Sequence, residues 1–219
     1  MISGTVAWTI VTISARLFYR RLGICLAANL LWIITSLPII TMPAAAGGLF
    51  YLMSRVIADE HDLDPDEATI RDFWVGFRSY WGKFSLLGFL DLAAFLLLSF
   101  TAYFYWQSTV ELLNWLVGPL AILLLTFLGM QLYLFPLRLA YPTESVRSIF
   151  RRAFLLVLAR PIDSMLLVTW LLILMVVCFA LGGPVLLLLF SAMALVQTFA
   201  LRVIRIEHGE ISGDKAKEV

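Results

Sequence analysis

Four polar side chains stand inside stretches that are otherwise free, or nearly free, of charge: Asn29, Asp91, Gln131 and Gln197. Asp91 is the sharpest anomaly, because an ionised carboxylate among leucine and phenylalanine is costly, so it must be protonated or hydrogen-bonded there. Counted from the nearest basic residue, Asp91 lies eight positions beyond Lys83, Asn29 eight beyond Arg21, Gln131 seven before Arg138 and Gln197 five before Arg202. Similar depth lets the four meet as one intramembrane cluster. Its plain role is glue between helices through interhelical hydrogen bonds, its sharper one a substrate or proton site; an Asp91 that snorkels outward is the third reading. Asp163, three residues past Arg160, is read more simply as an interfacial acid near a helix N-terminus.

Other chemistry is excluded residue by residue. The only histidines, His61 and His208, fall outside the apolar runs, and no H-E-x-x-H, G-x-S-x-G or P-loop pattern occurs. Asp62, Asp64 and Asp66 start like a calcium loop, yet Glu67 stands where the sharp turn needs glycine and Phe73 where a bidentate glutamate is required. The stretch from Asp59 to Glu67 is therefore expected to be a solvated loop. Cys25 and Cys178 sit in apolar surroundings and read as small buried hydrophobes, not as a disulfide or zinc ligands. An intramembrane aspartyl protease needs two facing carboxylates, and only Asp91 is well inside a run. The expectation is a protein with no catalytic residues, no cofactor and no metal.

What must position the polar groups is a set of membrane helices. The chain has 219 residues, 62% hydrophobic and 14% charged, where soluble domains carry about a quarter charged. A net charge of +1 gives no field that would attract nucleic acid. Leu22 to Ser54, Leu112 to Leu137 and Ser164 to Leu201 hold no charge, and Phe84 to Trp106 is broken only by Asp91. About 20 apolar residues cross a bilayer, so the first and third of these runs must fold back. Gly182, Gly183 and Pro184 supply a turn in one; Pro38 and Pro43, with Gly47 and Gly48 behind them, break the other into two short crossings. Six crossings in three hairpins then put all sixteen Lys and Arg on one side and none in the turns Gln107–Glu111 and Gly182–Pro184, whereas five crossings, the alternative, would put Arg16, Arg20 and Arg21 on the other. Under the positive-inside bias the side that holds all sixteen is the cytoplasm, with both termini in it. Trp106 and Trp115 flank the outer turn as an aromatic belt. No cleavable signal peptide is evident, so the first hairpin itself would target the chain.

An internal repeat organises the rest. Ile70, Phe73, Trp74, Phe77 and Trp81 form a helical stripe, and adding 76 gives Val146, Ile149, Phe150, Ala153 and Val157, all apolar, while Arg71 maps to Arg147. Ile2, Val6, Ile10, Ile13 and Leu17, opposite Thr5, Thr9, Thr12, Arg16 and Arg20, make a weaker third copy. The fold class is therefore an all-α polytopic bundle, read as one integral domain: an amphipathic helix plus short hairpin over 1–58, a helix plus hairpin over 69–137, another over 143–206, and a tail over 207–219. Thr69 with Asp72 resembles a capping box for the second amphipathic helix, and Pro142 with Thr143 sets up the third. Such helices, basic on one side and apolar on the other, suit the headgroup plane; Arg71, Trp74, Arg78, Arg147, Arg151 and Arg152 are candidates for docking the interface or a partner subunit.

Asn29-Leu30-Leu31-Trp32, Leu37-Pro38, Gly48-Leu49-Phe50-Tyr51-Leu52, Arg71-Asp72-Phe73-Trp74 with Phe77-Arg78, and Phe135-Pro136-Leu137 followed by Ala153 and Arg160-Pro161 resemble the YesL-like family of bacterial membrane proteins, a domain of unknown function. The chain departs from that pattern in its longer acidic loop, Asp59 to Glu67, and in Arg160 where histidine often precedes the proline. The resemblance implies a bacterial plasma-membrane location and an accessory role beside a carbohydrate ABC importer, with permease subunits as partners. No catalytic residue carries over. A small solute transporter with a polar route around Asp91 is the competing expectation.

Overall fold

The computed structural model describes residues 3–60, 67–107, 115–180, 183–207 and 209–210. Eight α-helices and no strand are found among them. In chain order they are α1 (Ser3–Arg20), α2 (Leu22–Ser36), α3 (Met42–Glu60), α4 (Arg71–Trp106), α5 (Val117–Ala140), α6 (Val146–Ala159), α7 (Pro161–Ala180) and α8 (Gly183–Glu207). Five segments, 39–60, 71–106, 117–140, 161–180 and 188–207, are long and apolar enough to cross a membrane. A sixth crossing requires α2, whose 15 residues reach only about 22 Å, or the pair α1 and α2, bent by 92° at Arg21.

The uncharged run after Arg21 breaks between Ser36 and Met42, as its prolines require. A 3₁₀ turn, Ile39–Thr41, joins the two helices, and the Thr41 hydroxyl donates to the carbonyls of Thr35 and Pro38, so the break satisfies its own backbone. Gly47 and Gly48 do not contribute to the break: they lie inside α3. A Cβ on Gly48 would sit 2.7 Å from the Phe73 carbonyl oxygen, one on Gly76 would sit 2.5 Å from Tyr51 Cβ, and one on Gly88 2.5 Å from Pro43 Cβ. These glycines let α3 and α4 touch backbone to backbone, the use of small residues between membrane helices.

Two expectations about the amphipathic segments are corrected. The stripe from Ile70 to Trp81 is not a separate surface helix, since α4 runs 36 residues, about 54 Å, without interruption. Isolated glycines at 76, 82 and 88 are too weak as breakers, and no proline stands between Arg71 and Trp106. Its inward face is Phe73, Gly76, Phe84 and Leu87, which leaves Trp74 and Trp81 exposed. The third stripe does form its own helix, α6, because Pro161 starts α7; but its cap is Ser145, which accepts from the Ser148 N–H at 3.3 Å, not Pro142 or Thr143. Asp72 accepts from the Thr69 N–H at 2.9 Å, the backward half of the capping box read at that place.

The core runs through α3, α5 and α8, with Leu52, Met53, Val56, Leu132, Leu134 and Ala200 at its centre. Trp32 of α2 stacks on Phe190 of α8 at 4.0 Å, and Phe50 of α3 on Phe135 of α5 at 5.5 Å. The N-terminal stripe packs on the bundle: Ile10, Ser14 and Leu17 are buried as α1 lies against α7 and α8, and Trp8 meets Trp170 at 5.4 Å. By contrast, the far half of the α4/α5 hairpin is bare, with Leu97, Phe100, Tyr103, Ile122 and Leu125 all exposed.

Candidate functional site

Asp91 and Gln131 meet. Gln131 Nε2 donates to Asp91 Oδ1 at 2.8 Å, tying α4 to α5 midway along the hairpin, with both side chains half-buried. The carboxyl thereby gains one of the hydrogen bonds its setting demands. The expected fourfold cluster does not form, because the other members belong to different helix contacts. Asn29 is buried on the α2 face that carries Cys25, Ala28 and Trp32, and that face packs on α3 and α8. Gln197 is buried in α8, and its Oε1 accepts no hydrogen bond among the described residues. Asn29 and Gln197 thus stand on α2 and α8, which pack on each other, while Asp91 and Gln131 join α4 to α5.

One polar contact inside the bundle was not expected from the sequence. The hydroxyls of Tyr133 and Ser164 lie 3.0 Å apart in the buried contact of α5 with α7. A tyrosine in an apolar run is an ordinary interfacial residue; only the repeat, which places Ser164 opposite the close-packing Gly88, hints that this position faces inward. Cys25 and Cys178 are both free and buried, as read. Asp163 lies in the first turn of α7.

The basic residues gather at one end of the bundle through paired charges. Arg20 meets Glu60 at 2.5 Å, Arg21 meets Asp59 at 2.8 Å and Arg55 reaches Asp72 at 3.9 Å, so the ends of α1 and α3 meet the starts of α2 and α4. Arg160 pairs with Glu207, joining α7 to α8. Beyond α5, Glu144 accepts from the Ser148 hydroxyl at 2.6 Å and from Arg152 at 2.8 to 3.0 Å. These bonds, Ser148's first, hold the Glu144 carboxyl below its ordinary value of 4.5, and the same pairing raises Arg152. Arg152 and Arg205 both lie over the Tyr141 ring, at 4.4 and 5.1 Å. The Tyr141 hydroxyl donates to Glu210, which lowers that carboxyl, while burial and this bond raise the phenol.

The candidate docking residues therefore divide. Arg71, Trp74, Arg78, Arg147 and Arg151 are exposed, but Arg152 is spent on Glu144 and Tyr141 and is no free contact for a partner. Local sequence carried the signal, since Glu144, Ser148 and Arg152 follow at spacing four. His61, His208, the three aspartates of the calcium-like loop and most of the two outer turns, including Gly182, lie outside the described residues.

Residues 25–101 match the family model described as "Protein of unknown function, DUF624". The chain is a multi-pass integral membrane protein. The matched segment takes in α2, α3 and most of α4, and so contains Asn29, the glycines of the α3–α4 contact and Asp91. No curated protein matches the chain, and no solved structure does.

Proposed function

We propose that this protein is a non-enzymatic membrane subunit that assists or regulates a larger complex through lateral helix contacts, and that the complex is a bacterial carbohydrate ABC importer. The observation that carries the first half is the uneven cover of the bundle. α3, α5 and α8 are filled with side chains, whereas the far half of α4 and α5 presents Leu97, Phe100, Tyr103, Ile122 and Leu125 outward. The importer is supported only by the resemblance to the YesL-like family. In this reading the arginine-rich end faces the cytoplasm of a bacterial plasma membrane with both termini, in keeping with the positive-inside bias. Arg71, Arg78, Arg147 and Arg151 there face headgroups or a permease subunit. Affinity purification in mild detergent followed by mass spectrometry tests the reading. Recovery of a permease and its ATPase is the expected result, and recovery of the chain alone counts against it.

The competing reading, a small solute transporter, is favoured by one observation, the Asp91–Gln131 bond inside the spans. In reconstituted vesicles Asp91→Asn is expected to leave solute and proton flux unchanged; a flux that depends on the carboxyl would restore the transporter.

A further inference from the structure

At the arginine-rich end two inward-turned guanidiniums have no carboxylate partner among the described residues: Arg138, buried and donating to the Glu144 carbonyl at 2.6 Å, and Arg202, which lines a cleft. Arg21, Arg55, Arg152, Arg160 and Arg205 each have a carboxylate within 4 Å. Arg202 has none among the described residues. Its Nη1 donates to the Ile57 carbonyl at 3.2 Å, so the guanidinium is turned into the bundle, half-buried, and held by a backbone oxygen only. Taking a permanent cation out of water without a counter-ion is costly, and the cost is relieved if an anion sits on its open flank. That flank is a cleft of about 300 Å³ between the ends of α3, α5 and α8. Arg202 and Arg205 supply its charge, Ser54 and Thr198 its hydroxyls, and Pro136 and Leu139 are among its apolar walls. Both hydroxyls donate backward to helix carbonyls, Ser54 to Tyr51 and Thr198 to Ala194, each at 2.7 Å, so the two arginines are the donors facing an anion. Arg205 also lines a second cleft of about 270 Å³, between α5, α6 and α8.

We propose that the cleft between α3, α5 and α8 binds a phosphate group carried by an anionic phospholipid, with Arg202 as its principal ligand and Arg205 as the second. A guanidinium presents several N–H donors in one plane and matches a phosphate's oxygens. The apolar walls beside it match the lipid's glycerol and upper acyl chain, which a soluble phosphate lacks. Basic pockets between helix ends at the headgroup level are where such lipids are held. The site is distinct from the exposed arginines: Arg147 and Arg151 add to the surface field, whereas Arg202 makes one defined contact.

The test uses the full chain purified in mild detergent, with three probes: phosphatidylglycerol, phosphatidylcholine of the same acyl chains, and inorganic phosphate. Phosphatidylglycerol is expected to raise the melting temperature and to remain bound in native mass spectrometry, and phosphatidylcholine to do neither. Arg202→Gln should weaken retention of phosphatidylglycerol about tenfold, the loss of one charge-assisted contact, while Arg151→Gln leaves it unchanged. If inorganic phosphate alone reproduces the full shift, the anion site stands and the lipid as its carrier is overturned. If Arg202→Gln and Arg151→Gln weaken retention equally, or neither does, the site is overturned in favour of bulk surface charge. Should Arg202→Gln not be recovered folded, Ala58→Leu, which fills the cleft without touching charge, carries the same expectation.

Discussion

The stretches 71–106 and 147–180 share an apolar spacing 76 positions apart, yet the first is a single rod and the second two helices joined at Arg160. Their apolar register agrees: Phe73 and its counterpart Ile149 are both fully buried. Two substitutions within the pattern account for the difference. Pro161, whose counterpart is Ser85, lacks the N–H that would continue α6 and fixes the start of α7. Gly76, whose counterpart is Arg152, lets α4 press against α3, whereas Arg152 turns α6 toward Glu144 and Tyr141. Register decides which face turns inward; one imino acid and one missing side chain decide what that face becomes.

The most disruptive way to break the comparison is Ser85→Pro, which gives α4 the breaker of its counterpart. It should cost about 3 kcal/mol, as a proline inside a helix does, and shorten the distance between spin labels at residues 78 and 97. An unchanged distance would show that the α3 contact, not the absence of proline, keeps α4 straight. Next is Gly76→Val, which forces apart two backbones already at contact and should cost about 1–3 kcal/mol by overpacking, measured as a lower melting temperature in detergent. Gly82→Val, at a glycine with open space around it, serves as the harmless control. Smaller is Asp91→Asn. Leu167, its counterpart, is buried core, so Asp91 occupies a position that the pattern assigns to packing. The amide keeps an acceptor for Gln131, and stability should move by no more than about 0.6 kcal/mol, the usual worth of such a bond in a membrane bundle.

The smallest effect concerns pH. Glu144 is held below its ordinary value of 4.5, so its contribution to the attachment of α6 is present above that value and is lost as pH falls through its lower value in the folded protein. Glu144→Gln should therefore melt earlier than the unaltered chain at pH 7, and the gap between them should close on acidification below 4.5. A gap that is constant with pH would assign Glu144 a packing role instead.

The all-helical bundle of long apolar helices was legible in the sequence, because apolar runs obey the bilayer's demand for length. The Asp91–Gln131 pair was legible for the same reason: a carboxyl in an apolar run must find a donor, and few polar residues stood at its level. What escaped was rotation about each helix axis. Asn29 and Gln197 belong to the contact of α2 with α8 and not to that of α4 with α5, and no one-dimensional count of residues carries azimuth. Glycines were ambiguous in the same way, since Gly47 and Gly48 signal a break by composition yet serve a close approach that only the partner helix reveals. Arg202 reads in the sequence as one more basic residue; its lack of a carboxylate partner among the described residues is a property of the assembled end.

The link between α2 and α3 has an implication for the surrounding lipid. Leu37, Ile39 and Ile40 are oily residues at the tip of a hairpin whose ascending limb is shorter than a hydrocarbon core of about 30 Å. A tip of that chemistry does not belong at a water boundary, and the remaining helices are long enough to reach one. With its freed carbonyls met by the Thr41 hydroxyl, such a tip has no need of water and is suited to ending within the hydrocarbon, short of the far headgroups.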